Sequence, residues 1–588
     1  MHTNPFEFEA ANKFSVEEMV DYFISDENYT RFLASRKNLY LVGDRGTGKT
    51  MALRFFSLPV QHCFSRRSEY SGGSIFNIIG VYVPCRKPDL GKTEPDLLDP
   101  FLGRLNGEHL LITAMVAGLA DALNAVGAII SPDEELQLRN EIPFLLNWEL
   151  PIGKPVFAAL GAAARRESIQ AQRALNRRTV DSHYENVATF ATTFQPLVEI
   201  LTTTVASLRD SHFSLMFDDA EDLSAFQNET LNSWIAVRDT SRISFKVATS
   251  AVDQRALRTS SGGGLLERHD FIWVNLEQDF QNSEAAYGKM ARKIVDRRLT
   301  QIGFNDGADA FFPANSLLAE ALATASEQAR TEAVKLGLTG RQIRDYVHKM
   351  ERALYFRNRP AQANRPPYSG FDLLVHVSTG VIRYLLEPCY EMYDKALSER
   401  PNNAEPVKII PPRIQTECLE RMSKRRWEWI KSGFNCSIKG CTAADAVHIY
   451  NLVDQLAVLF RRRLEQHNSE PRAISFSVSG SGNLDATRIE QLEHVLLAAR
   501  RAQILFQRRS TAKVEGRSEI YYTFDRLLWI DRGLDPVGQN ARVSIEARYL
   551  HEAAFQNRPL PYDGSEKRAL SDAEDPQLTI FDRTSHND

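Results

Sequence analysis

The sequence predicts an α/β chain built on a doubly wound parallel sheet, with helical and α+β regions following it. Three observations carry that prediction. A glycine-rich turn, Gly43-Asp44-Arg45-Gly46-Thr47-Gly48-Lys49-Thr50, lies between a short apolar run (Leu39–Val42) and a helix start at Lys49. A second apolar run, His212–Phe217, ends in the acidic pair Asp218-Asp219. Strand and helix patterns then alternate through residues 37–275, as parallel strands joined by crossover helices require.

Bulk properties narrow the class. A chain of 588 residues is too long for one core, so two to four domains are expected. Hydrophobic residues make up 43 % and charged residues 25 %, the balance of an ordinary globular protein. The net charge of −4 excludes a globally basic nucleic-acid binder, so any basic surface is local. The start, Met1-His-Thr-Asn-Pro-Phe-Glu, lacks a basic and then apolar leader pattern. No run approaches 18 apolar residues, so no membrane span is expected, and the reading is a cytoplasmic chain. Six cysteines at irregular spacings suit a reducing compartment. Cys418, Cys436, Cys441 and His448 fall near one another but match no usual zinc spacing, which favours buried thiols.

In chain order, Ser15 and Glu18 form a capping box ahead of a helix, with Phe14 and Met19 placed as its hydrophobic staple. The turn Gly43–Thr50 matches the G-x-x-x-x-G-K-[ST] phosphate loop. Its glycines let successive N–H groups converge on phosphate oxygens. Lys49 would reach the β and γ phosphates, and the Thr50 hydroxyl would hold Mg²⁺, so ATP and Mg²⁺ are the expected cofactors. Ile78–Val83, closed by Pro84, reads as the next strand. Helical patterns follow over His109–Val126, Pro132–Leu146, Val156–Leu175 and Ala191–Ser207, part of them as an insertion. The strand His212–Phe217 would deliver Asp218 to the Mg²⁺, and Asp219 would orient a water. After a helix over Leu223–Val237, the run Ile243–Ala248 ends in Thr249-Ser250. One of these two would lie at the strand's carboxyl end near the γ-phosphate. Asp270–Val274 is the last strand candidate.

The order of phosphate loop, Asp218-Asp219, Thr249 and then Ser378-Thr-Gly380-Val-Ile-Arg383 in a helical region resembles AAA+ ATPases. It is most similar to the branch of the origin-recognition-type replication initiators, over residues 4–395 and more loosely to 533. That resemblance implies a helical lid after the sheet, with Arg383 as the lid arginine that senses the γ-phosphate, and assembly into homo-oligomers. It also implies an arginine lent to a neighbouring subunit, for which Arg268, Arg258 and Arg255 are the candidates, Arg268 first because it precedes the last strand. The family usually places Glu where this chain has Asp219. The shorter acid implies slow hydrolysis, and whether Glu221 substitutes for it stays open.

Helices are expected over Asn282–Thr300, Leu317–Lys335 and Arg341–Phe356, then the Arg383 helix, and a linker at Ser398–Asn403. Val447 to Phe460 and Ile489 to Ala499 trace two further helical faces. A hairpin follows, with Ile504 and Phe506 alternating on one strand and Ile520, Tyr522 and Phe524 on the other. A helix followed by such a hairpin resembles a winged helix. Arg500, Arg501, Arg508, Arg509, Lys513 and Arg517 are its candidates for contacting the phosphates of duplex DNA, and a protein-binding surface is the alternative. The tail is polar and acidic and reads as disordered. Within it Gln577, Leu578, Ile580 and Phe581 are similar to short bacterial peptides that dock on the sliding clamp.

The expected layout is therefore a P-loop ATPase core over 1–280 with a helical insertion at about 130–190, a lid over 281–398, a winged-helix-like α+β domain over 399–555 and a tail over 556–588. The function that follows is an ATP-binding and hydrolysing switch that assembles on DNA or with a partner protein. The resemblance places it in bacterial genome maintenance, mobile-element control or anti-phage defence. A second reading is a slowly hydrolysing, nucleotide-held scaffold that recruits a separate effector protein through the winged-helix-like domain without binding DNA.

Overall fold

The computed structural model describes residues 4–561, apart from residues 8–10, 26, 68–72, 87, 89, 91–96, 128–129, 177–186, 238–240, 254–256, 277–283, 360–365, 401–406, 437, 439, 467–471, 481, 483, 515–516 and 539–541. Arg255 and the Gln577–Phe581 peptide lie outside the described residues. The chain divides into two compact units, Glu9–Glu277 and a second formed by Gln278–Asp588 together with Met1–Phe8.

Five parallel strands make the sheet of the first unit: β1 (Leu39–Val42), β2 (Ile78–Pro84), β3 (His212–Asp218), β4 (Ile243–Thr249) and β5 (Ile272–Asn275), in the order β2-β3-β4-β1-β5. Every residue of β1, β3 and β4 is buried, as continuous apolar strands covered on both faces should be. Connections leave β1 toward β2 on one side and β4 toward β5 on the other. Their carboxyl ends therefore open a crevice at a topological switch point. The Ser15–Glu18 capping box forms as expected, and Phe14 packs on the cluster containing Met19.

The helix Pro100–Val126 is 27 residues long, starting nine residues before its expected beginning, and is apolar enough to cross a bilayer by length and composition. Its apolar residues instead pack into the core of the sheet, from Leu110 to Leu123. At Gly118 a Cβ would lie 3.0 Å from the Tyr82 carbonyl, so this helix rides directly on β2. Val156–Leu175 buries Ala159, Ala163, Ala164 and Ala171, small side chains that permit close helix packing. Ala191–Ser207 is not one helix: Thr189 caps a wide turn at Phe190–Phe194, which passes into a helix at Gln195–Thr204.

In the second unit, Phe6 is buried among Phe311, Phe312 and Tyr393, and Arg298 donates to the carbonyls of Pro5 (2.8 Å) and Glu7 (2.9 Å). Two helices, Ser316–Lys335 and Arg341–Asn358, pair through Ala325 and Ala329 against Met350 and Leu354. Arg383 is the second residue of the helix Ile382–Ser398. A helix without a sequence-level counterpart spans Pro412–Lys431.

The expected hairpin is there, as β7 (Leu505–Val514) and β8 (Arg517–Phe524). It is half of a four-stranded mixed sheet, however, ordered β7-β8-β6-β9, where β6 is Ser475–Ser479 and β9 is Arg542–Glu546. Strand β6 runs antiparallel to β8 and parallel to β9. Helices Ala443–Glu465, Ala486–Arg501 and Ala547–Gln556 cover its core. Cys418 is buried and its thiol lies 3.8 Å from the Glu391 carbonyl, whereas the Cys441 thiol faces Ala498.

Candidate functional site

Strand β1 ends at Val42 and the chain turns at once into the glycine loop. The Gly43 N–H donates to the Thr249 carbonyl (3.3 Å), which ties the loop's first residue to the end of β4. Gly46 and Gly48 adopt φ of 91° and 100°, a region open to glycine at little cost. A Cβ at Gly43 would stand 2.7 Å from Thr47 Oγ1, itself donating to the Asp44 carbonyl (2.8 Å). Arg45 is an exposed residue of the loop. Lys49 is the first residue of the helix Lys49–Phe55, and its buried ammonium donates to the carbonyls of Gly43 (2.7 Å) and Asp44 (3.1 Å). The cation is thus held within the concavity that the loop encloses.

Asp218 closes β3 beside this loop and is 2 % exposed. Its Oδ2 accepts from the Tyr82 hydroxyl (2.8 Å), and the Thr50 hydroxyl favours the ionised form of the same carboxylate. Its Oδ1 is buried with no hydrogen-bond partner among the described residues. Burial above all, then the charge of Asp219, pushes the Asp218 carboxyl up from its ordinary range, against the opposing pull of Tyr82, Thr50 and Lys49. Burial and the same carboxylate push the Tyr82 phenol far up, so it stays a donor. An unpartnered carboxylate oxygen beside a hydroxyl supplies the hard oxygen donors that Mg²⁺ takes, so Thr50 and Asp218 fit that ion. Tyr82 has no motif to reveal it; only the pairing of β2 with β3, which sets Pro84 beside Asp218, brings it here.

Asp219 follows in a left-handed conformation (φ 53°, ψ 45°) and is half-buried. Glu221, in the short turn Ala220–Asp222, is 6 % exposed and accepts from the Ser250 N–H (3.0 Å). Burial pushes its carboxyl up, and the positive charge of Lys49 is the largest opposing influence. Thr249 and Ser250 are both buried at the carboxyl end of β4. The structure therefore brings together Gly43–Thr50, Asp218, Asp219, Glu221, Thr249 and Ser250 at one edge of one sheet.

The remaining candidates lie elsewhere. Arg268 and Arg258 are exposed on the segment between β4 and β5. Arg268 has φ 72° in a turn where its N–H donates to Phe271 O (2.8 Å) and Asp270 accepts from the Leu266 N–H (2.9 Å). A non-glycine residue in that region carries backbone strain, which distinguishes Arg268 from Arg258. Arg383 belongs to the second unit and its side chain is exposed.

Among the DNA candidates, Arg500 and Arg501 are half-buried at a helix end and Arg509 is exposed. Arg508 departs from its expected place. It is 6 % exposed and donates to the Thr379 carbonyl (3.1 Å), because successive strand residues face opposite sides and position 508 faces inward. Lys513 and Arg517 pair with Ser518 and Val514 in the ladder, and their side chains lie outside the described residues.

A search of curated proteins finds no match to this chain. A family model, described as ORC-CDC6-like, matches residues 4–338 and 338–545. That span takes in the phosphate loop, the Asp218 strand end, the Thr249 strand end and Arg383. The sheet and the sequence match together show that the chain belongs to the ORC-CDC6-like family, AAA+ ATPases of the initiator type.

Proposed function

We propose that the chain is an ATP-driven switch that assembles with further copies of itself, on duplex DNA or with a partner protein, and is reset by hydrolysis. Gly43–Thr50 cradles the triphosphate, with Lys49 neutralising its β and γ phosphates. Thr50 and Asp218 hold Mg²⁺, which when bound polarises the phosphate oxygens. Thr249 faces the γ-phosphate from β4, Arg383 senses it from the lid, and Arg268 is the arginine offered to a neighbouring copy. The observation that carries this reading is the buried, unpartnered Oδ1 of Asp218 beside Thr50 and the loop. A buried carboxylate oxygen without a donor costs stability in the free protein, and a cation brought by the nucleotide removes that cost.

The region of half-buried Arg500 and Arg501 and exposed Arg509 is the surface proposed for DNA in a winged-helix-like domain. The burial of Arg508 narrows it and gives weight to the second reading, a surface that recruits an effector protein. Genome maintenance, mobile-element control and anti-phage defence are the proposed settings, and the clamp-docking peptide stays a proposal within them.

The test is Lys49→Ala. Wild-type protein should gain thermal stability on addition of ATP and Mg²⁺, by mass action on the folded state. The variant should lose most of that shift and about 100-fold or more in hydrolysis. A variant that hydrolyses ATP as wild type does would show that the site is wrongly assigned.

A further inference from the structure

We infer that Glu221, two residues beyond the position where such ATPases carry their acid, is the carboxylate that orients and deprotonates the attacking water, and that Asp219 is not. This rests on the nucleotide-hydrolysing reading of the same site.

Three observations point to it. The left-handed backbone of Asp219 (φ 53°, ψ 45°) breaks the alternation of β3, so its side chain does not continue the strand's direction. Its carboxylate is partly exposed and has no hydrogen-bond partner among the described residues. The turn that follows is tight: Asp222 N–H donates to Asp219 O (3.0 Å) and Leu223 N–H to Ala220 O (3.2 Å), which carries Glu221 back toward the strand ends.

There Glu221 is fixed on one side and open on the other. Its Oε2 accepts from the Ser250 N–H at the end of β4 (3.0 Å). Its Oε1 is buried with no hydrogen-bond partner among the described residues, and Lys49 is the cation whose charge acts on this carboxylate most strongly. A purely structural glutamate linking β3 to β4 would not need a second buried oxygen left without a donor. An oxygen held this way, near the cation that binds the γ-phosphate, has the place and the valence for a water.

The step is a displacement at phosphorus. The water oxygen bonds to the γ-phosphorus, the bond from that phosphorus to the β,γ-bridging oxygen breaks, and its electron pair leaves with ADP. The water's proton passes to Glu221 Oε1 and then to solvent or the released phosphate, so no further reactant is required.

Glu221→Gln keeps the side chain's shape and an oxygen to accept from Ser250. It should lower single-turnover ATP hydrolysis by about 100-fold or more, with ATP affinity, read by fluorescent-nucleotide titration, held within about threefold. Asp219→Asn should keep hydrolysis within about tenfold of wild type. Hydrolysis by Glu221→Gln at the wild-type rate, or a larger loss in Asp219→Asn than in Glu221→Gln, overturns the assignment while the nucleotide reading stands. Loss of ATP affinity in Glu221→Gln in step with the rate also overturns it, in favour of a structural role. A wild-type protein that neither binds nor hydrolyses ATP instead removes the nucleotide reading, and this inference with it.

Discussion

The ion-paired arginines Arg426 and Arg352 of the second unit and the buried acids Asp218 and Glu221 of the first are treated in opposite ways. In the second unit, Arg426 donates to the carboxylate of Asp525 (3.0 Å), to the Tyr384 hydroxyl (3.1 Å) and to the carbonyls of Ala502 (3.2 Å) and Gln503 (3.1 Å). Its guanidinium also lies 4.5 Å from the centre of the Trp429 ring. Arg352 grips Asp535 through two bonds of 2.6 Å. In the first unit, Asp218 and Glu221 each keep one buried oxygen with no hydrogen-bond partner among the described residues. Both arrangements cost desolvation, but only the first recovers it within the chain. A saturated knot of charges holds helices and strands in register, whereas an unsaturated one is built for something that arrives.

The largest test of that contrast is Arg426→Ala. It leaves Asp525 buried without its cation and should cost about 3–5 kcal/mol, read as a fall in the urea midpoint of the second unit's transition. The double variant Arg426→Met with Asp525→Leu should recover most of the loss, since the charge it would strand is gone. Failure to recover would mean that the bonds to Tyr384, Ala502 and Gln503 matter more than the ion pair.

Next in size is the neighbouring pair on β7. Arg508→Ala removes the donor to Thr379 and should cost about 1–3 kcal/mol, with any DNA affinity unchanged for the folded protein. Arg509→Ala touches an exposed position and should leave stability within about 0.5 kcal/mol. If this face binds duplex DNA, that variant should lower the slope of affinity against salt by about one counterion. An unchanged slope would favour the protein-recruiting reading.

Those two arginines also show what can be read from a sequence and what cannot. Alternation along a strand is local, so it is legible that positions 508 and 509 face opposite ways. Which face is inward depends on Thr379, far away in the chain. The phosphate loop and the ends of β3 and β4 were legible for the converse reason: each is a short apolar run stopped by residues with their own chemistry. The first turns of the helix Pro100–Val126 were not, because Gly103, Arg104, Asn106 and Gly107 interrupt the apolar pattern; Asp99, which caps the Phe101 N–H, was the missed signal. Strands β6 and β9 are five residues each and alternate Ser, Arg or Glu with single apolar residues, so their partnership is visible only once the long-range parallel pairing forms. Glu221 could be weighed but not chosen, since the choice turns on the φ of one residue, Asp219.

Lys246 lies between the two extremes and sharpens the comparison most finely. It is wholly buried in β4, yet its ammonium donates only to neutral groups, the carbonyls of Ser35 (2.8 Å) and Lys37. Burial pushes its pKa down from 10.5 to about 7. Between those limits the unfolded chain binds a proton that the folded chain does not, so stability rises with pH over that window. Below about pH 7 both states carry the proton and the full penalty remains. His212, pushed down to about 4 by burial and then by the charges of Arg36 and Lys246, adds a separate loss as pH falls below 6.5. Lys246→Met should therefore raise the unfolding free energy read from urea titration at pH 7 by about 1 kcal/mol, with the gain shrinking toward pH 10. A gain that stays constant across that range would mean that Lys246 keeps its proton in the folded chain throughout, as it does in the unfolded chain. That outcome would remove it from the set of buried charges that this fold tolerates at a cost.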